Sequence, residues 1–120
     1  MLRTNLTHLL SEKEHSDILN NNDNVMICCG RMGPMCIPVY DSMEELEKEY
    51  SNIKFADMEF DLPDSKVIRN LPECRSFAGL PFVVYYKNGK VVEATTSIQT
   101  KDQITEILKK HFSNGNGKSL

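Results

Sequence analysis

The chain has 120 residues, 40% of them hydrophobic and 26% charged, enough for one packed core and unlike the composition of disordered or fibrous chains. Its 14 basic residues are scattered among 17 acidic ones for a net charge of −3, leaving no basic patch for a phosphate backbone, so nucleic acid is not expected as a partner. No apolar run approaches the roughly 20 residues of a membrane span, and the N-terminus lacks the pattern of a secretory leader, so no membrane association and a cytoplasmic location are expected.

Leu6–Leu10 reads as a short strand. Ser11 and Glu14 have the spacing of a capping box and open a helix over Glu12–Leu19, which Asn20 to Asp23 end. Val25-Met26-Ile27-Cys28-Cys29 is an unbroken apolar run between turn residues, as suits a central strand covered on both faces. Pro34 is placed as the first residue of a helix running to Tyr50, with Pro38 bending its first turns. Val39, Tyr40, Met43, Leu46 and Tyr50 form the inward stripe of that helix, and counting back one turn puts Cys36 on it.

Ile53–Phe60 alternates as a strand, and a short helix through Val67, Ile68 and Leu71 follows, with Cys74 just beyond it. Leu80–Tyr86 and Val91–Thr95 flank Asn88-Gly89, a strong hairpin signal. Thr100 and Gln103 form a second capping box for a last helix carrying Ile104, Ile107, Leu108 and Phe112. Strands alternating with helices and closed by a hairpin predict an α/β fold, a mixed five-stranded sheet flanked by four helices. The expected organisation is one domain over residues 1–112 and a flexible Gly/Asn/Ser tail over 113–120.

Five sulfur atoms fall within Cys28–Cys36, from Cys28, Cys29, Met32, Met35 and Cys36. In a reducing compartment these thiols and Cys74 are expected to be free, catalytic, transient or metal-binding rather than a structural framework. Cys28 in mid-strand reads as core, and Cys74 beside Glu73 and Arg75 as an exposed or partly exposed thiol. A soft-metal site for Cu(I) is a minor alternative, since one short loop does not guarantee converging ligands. His8, His15 and His111 show no zinc spacing, so no metal and no cofactor are expected.

The element order, Gly33-Pro34 before the second helix, Glu49-Tyr50-Ser51-Asn52 at its end, Gly79-Leu80-Pro81 before the hairpin and Tyr86-Lys87-Asn88-Gly89 at its turn together resemble the thioredoxin family from Leu6 to Phe112. The resemblance implies a thioredoxin-like sheet, a cis-proline at Pro81 facing the redox cysteines, and a Leu80 backbone free to pair with a substrate strand. Where the family has Cys-Gly-Pro-Cys, this chain has Met32-Gly33-Pro34-Met35-Cys36. Laid on the Gly-Pro, both family cysteines become methionines. Laid on the helix phase, which is preferred, Cys36 takes the second cysteine's place and Gly33 the first's. The family's buried acid in the central strand is replaced by Met26 and Ile27, and its tryptophan by Arg31, which either supports a thiolate or is a solvated loop residue.

The resemblance thus implies an atypical thiol–disulfide oxidoreductase. Cys29 ends the preceding strand and the glycine-containing loop after it can turn the chain back towards Cys36, so Cys29 is expected as the attacking cysteine and Cys36 as the resolving one, in either order, with Arg31, Met32, Met35, Leu80 and Pro81 as the substrate-binding surface. Protein dithiols or disulfides are the expected substrates, a thioredoxin reductase the expected source of electrons, and a monomer the expected state. The alternative is a redox-inactive binding or scaffold module of the same fold.

Overall fold

The computed structural model describes residues 2–75 and 79–112; the tail expected over 113–120 lies outside them. The strands are β1 (Thr7–Leu9), β2 (Asn24–Gly30), β3 (Lys54–Glu59), β4 (Phe82–Lys87) and β5 (Lys90–Thr96). The helices are α1 (Glu12–Asn21), α2 (Ile37–Glu49), the single turn α3 (Lys66–Arg69) and α4 (Lys101–Phe112). The sheet order is β1-β3-β2-β4-β5, with β1, β3 and β2 mutually parallel and β4 and β5 antiparallel.

The unbroken apolar run is the middle strand. Every residue of β2 from Val25 to Gly30 is buried, because α2 and α4 cover one face of the sheet and α1 and α3 the other. Side chains alternate along a strand, so Met26 and Cys28 enter the core under α2 and α4 while Val25, Ile27 and Cys29 enter the one under α1 and α3.

Both capping serine/threonine residues act as expected. Ser11 Oγ accepts the Glu14 N–H at 3.1 Å, and Thr100 Oγ1 accepts the Gln103 N–H at 3.1 Å. Gln103 completes its box by accepting the Thr100 N–H at 2.9 Å, whereas the Glu14 carboxylate reaches one residue further back to the Leu10 N–H at 2.6 Å. At the hairpin, Asn88 and Gly89 have φ of 52° and 80°, the left-handed pair that a two-residue turn between twisted strands requires.

The start of α2 differs from expectation. Gly33–Cys36 is a separate turn, its Gly33 carbonyl accepting the N–H groups of Cys36 and Ile37 at 3.0 and 2.9 Å. The helix begins at Ile37, with Cys36 as its N-cap and Pro38 in its first turn. A helix starting at Pro34 would need an N–H from Pro38 to bond the Pro34 carbonyl, and proline has none. Pro38 therefore sets the start rather than bending the interior.

Candidate functional site

The turn before α2, the end of β2 and the segment entering β4 meet at one edge of the sheet. The point of closest approach is Gly30. A Cβ placed there would lie 2.9 Å from Cys36 Sγ, 2.9 Å from the Tyr40 hydroxyl and 3.2 Å from Pro81 Cβ. Only a residue without a side chain lets these three groups converge. The Leu80–Pro81 peptide bond is cis, and Ser97, itself at φ 69°, donates its N–H to the carbonyls of Gly79 and Pro81 at 3.2 and 3.1 Å.

Cys36 is 3% exposed and forms part of a groove of about 510 Å³ lined by Arg31, Pro34, Met35, Phe60 and Leu80 among others. Burial pushes its thiol up. The Arg31 N–H, which lies 3.5 Å from Sγ, then the Arg31 charge and the Gly33 backbone pull it back down. The Arg31 side chain is committed elsewhere: Nε and an Nη donate to the two Asp61 carboxylate oxygens at 2.8 Å each, and the guanidinium lies 5.3 Å from the Phe60 ring centre. Arg69 covers the same ring at 5.6 Å and pins the loop after β3 through the Phe60 and Leu62 carbonyls at 2.7 and 2.9 Å. Asp61 is in turn held below the usual carboxylate range by Arg31.

The structure does not bring Cys29 and Cys36 together, which corrects the expected pair. Cys29 projects into the core under α1 and α3, beside Ile68, Cys74 and Phe82, while Cys36 lies in the core under α2. Strand parity decides this, because Cys28 and Gly30 share the Cys36 face and Cys29 alternates away from it. Burial pushes the Cys29 thiol up to about 12. Cys74, expected near the surface, is 2% exposed and pushed up to about 11, because the short turn Pro72–Cys74 folds it inward under the sheet.

Of the expected substrate surface, Arg31, Met35 and Leu80 line the groove and Pro81 stands behind it. Met35 is 44% exposed at its rim. Met32 packs partly against the α2 core, and its Sδ accepts the Arg3 N–H at 3.3 Å. The five sulfurs are thus split between two cores and the surface, and among the described residues no three His, Cys, Asp or Glu side chains converge as metal ligands.

Two polar residues near the site escaped the sequence reading. Asp57 on β3 is 1% exposed and directly opposite Cys28 in the parallel ladder. Its carboxylate accepts from Thr4 and pairs with His8 Nδ1 at 2.8 Å, yet burial dominates and raises its pKa. A buried acid is therefore present, one strand away from Met26 and Ile27. Tyr40, taken only as core, is 1% exposed, and among the described residues its hydroxyl has no hydrogen-bond partner of regular geometry, only a weak one in the Cys28 thiol.

No protein-family model matches the sequence, and comparison with curated proteins gives no match. Comparison of structures does. A thioredoxin from Plasmodium falciparum matches with a TM-score of 0.73 at 20% identity, over 88% of this chain and 99% of that one. The N21Q mutant thioredoxin of Halobacterium salinarum gives 0.74 at 20% identity, over 88% of each chain, and mitochondrial thioredoxin 3 of Saccharomyces cerevisiae in its oxidised form gives 0.71 at 20%, over 88% and 94%. Strand order, helix placement and these likenesses agree: the chain has the thioredoxin fold.

Proposed function

We propose that the protein is a thiol–disulfide oxidoreductase acting through one substrate-facing cysteine, Cys36. The observation that carries this reading is the convergence of Cys36 Sγ and Pro81 on Gly30, at the end of a groove open to a peptide. The Cys36 thiolate attacks one sulfur of a substrate disulfide, forming a mixed disulfide and releasing the other sulfur as a thiolate. An external thiol, from a reductase dithiol or a low-molecular-weight thiol, then attacks the Cys36 sulfur and frees the reduced substrate. A second thiol equivalent regenerates Cys36, so two thiols are oxidised for each disulfide reduced. Cys29, on the other face, takes no part. Arg31, Met35 and Leu80 offer the contact surface, and substrates are protein disulfides. Cytoplasmic residence suits this chemistry; no helix among the described residues is long and apolar enough to cross a membrane.

A second reading, a binding module without redox chemistry, is favoured by the burial of all four thiols and by Met35 at the exposed rim. Insulin reduction with dithiothreitol as the external thiol separates the two. Cys36→Ser abolishes the activity and Cys29→Ser keeps it if the oxidoreductase reading holds; equal rates in wild type and Cys36→Ser leave the binding module.

A further inference from the structure

Tyr40 carries an unexplained cost. A buried hydroxyl left without a regular partner costs stability, and a phenylalanine would fill the same space without that loss. The hydroxyl is also placed with some accuracy. Tyr40 donates its backbone N–H to the Cys36 carbonyl at 3.1 Å, so it sits one helical turn above Cys36 on the same face, and its Oη and Cys36 Sγ each lie 2.9 Å from the same point over Gly30.

We propose that the Tyr40 hydroxyl is the hydrogen-bond donor that stabilises Cys36 as a thiolate. A thiol is a weak acceptor and leaves the hydroxyl poorly satisfied; a thiolate is a strong one. In the resting thiol state the hydroxyl has only a weak acceptor, the Cys28 thiol, and no partner of regular geometry, and ionisation of Cys36 supplies a stronger one. No proton moves between the two groups. The hydroxyl keeps its proton because burial holds its own ionisation far above neutral pH. It acts together with the Arg31 N–H, which approaches the same sulfur from the loop side. The other titratable groups facing this pair are Cys28 on β2, Asp57 on β3 and Arg31 in the loop, with Cys29 beyond the strand. Cys28 is the competitor for the donor, since the hydroxyl hydrogen-bonds its sulfur and favours its ionised form.

The inference assumes that Cys36 is the reactive thiol of the proposed function, but its test does not need disulfide exchange. Cys36 is alkylated with iodoacetamide between pH 6 and 10 in wild type and Tyr40→Phe, with peptide masses identifying the labelled cysteine. Tyr40→Phe is expected to raise the midpoint of the Cys36 profile by about one pH unit, about tenfold less thiolate at neutral pH, with no loss in urea midpoint. Unfolding cannot imitate this result, because exposing Cys36 would lower the midpoint. The shift is expected to persist in a Cys28→Ala background. An unchanged profile in Tyr40→Phe, or a shift that vanishes without Cys28, overturns the assignment while leaving the oxidoreductase reading intact. Loss of exchange with the shift preserved removes that reading and keeps this one.

Discussion

Cys28 and Asp57 face each other across the β2–β3 ladder, a thiol beside a carboxyl, both essentially excluded from solvent. Burial raises the Asp57 pKa against the opposing effects of Thr4 and His8. The folded protein thus holds this proton more tightly than the unfolded chain does. The stability it contributes is fully present below the ordinary value of 3.8 and is lost as the pH rises through the folded value. Asp57→Asn keeps an acceptor for Thr4 and has no charge to bury. It is expected to be more stable than wild type at pH 7 and to lose that advantage as the pH falls towards 4, in urea unfolding followed at both pH values. A wild type that gains on the variant with rising pH would contradict the argument.

Gly30 is the position where the site has no spare room. Gly30→Ala introduces a Cβ 2.9 Å from both Cys36 Sγ and the Tyr40 hydroxyl and 3.2 Å from Pro81 Cβ. Overpacking of this kind costs about 1–3 kcal/mol, and the sulfur, being the end of a side chain, is the group that can yield most easily. A lower urea midpoint of that size is expected, with the pH profile of Cys36 alkylation displaced from wild type. An alanine variant matching wild type in both measurements would show that the three groups are not held at this point.

Much of this was legible from local rules. The β2 run declared a strand covered on both faces, Asn88-Gly89 the hairpin, and Thr100/Gln103 a complete capping box. These signals lie within a few residues of one another in sequence. The site is different in kind. Asp57 drew no notice within the Ile53–Phe60 strand, although it shares the parity of the core residues Ile53 and Phe55, and it is buried there with His8 of the added strand β1 as a partner. Pro38 was read as a bend because Pro34 offered an earlier start. The Cys29–Cys36 pairing rested on loop length, yet strand parity, a rule available in the sequence, sends Cys29 away once β2 is known to continue to Gly30. Tyr40 gave no signal at all, since an aromatic on a helical stripe looks the same whether or not its hydroxyl finds a partner.

Cys29 should behave as a small hydrophobe. It is fully buried, its thiol is pushed up to about 12 mainly by desolvation, and its surroundings include Ile27, Ile68 and Phe82. Cys29→Ala removes one buried sulfur from a packed site and is expected to cost about 1 kcal/mol in urea unfolding. The Cys36 alkylation rate at pH 8 should stay within twofold of wild type, roughly the scatter expected when the altered atoms contact nothing at the reacting sulfur. A large drop in that rate would restore Cys29 to the chemistry.

Asp61 governs how much of the Arg31 charge the groove presents. The two side chains are 51% and 57% exposed, so their pairing adds little to stability, but it neutralises the cation nearest the Cys36 mouth. Asp61→Asn removes the countercharge while keeping an oxygen for one guanidinium N–H. The uncovered guanidinium then favours the Cys36 thiolate and attracts anionic reagents. A dianionic aromatic disulfide should react with Cys36 a few-fold faster in Asp61→Asn than in wild type, and an uncharged pyridyl disulfide should gain less. The difference between the two reagents should shrink in 1 M salt, where the screening length falls to about 3 Å. Equal acceleration of both reagents at all salt concentrations would mean that Asp61 shapes the loop geometry and that its charge is incidental.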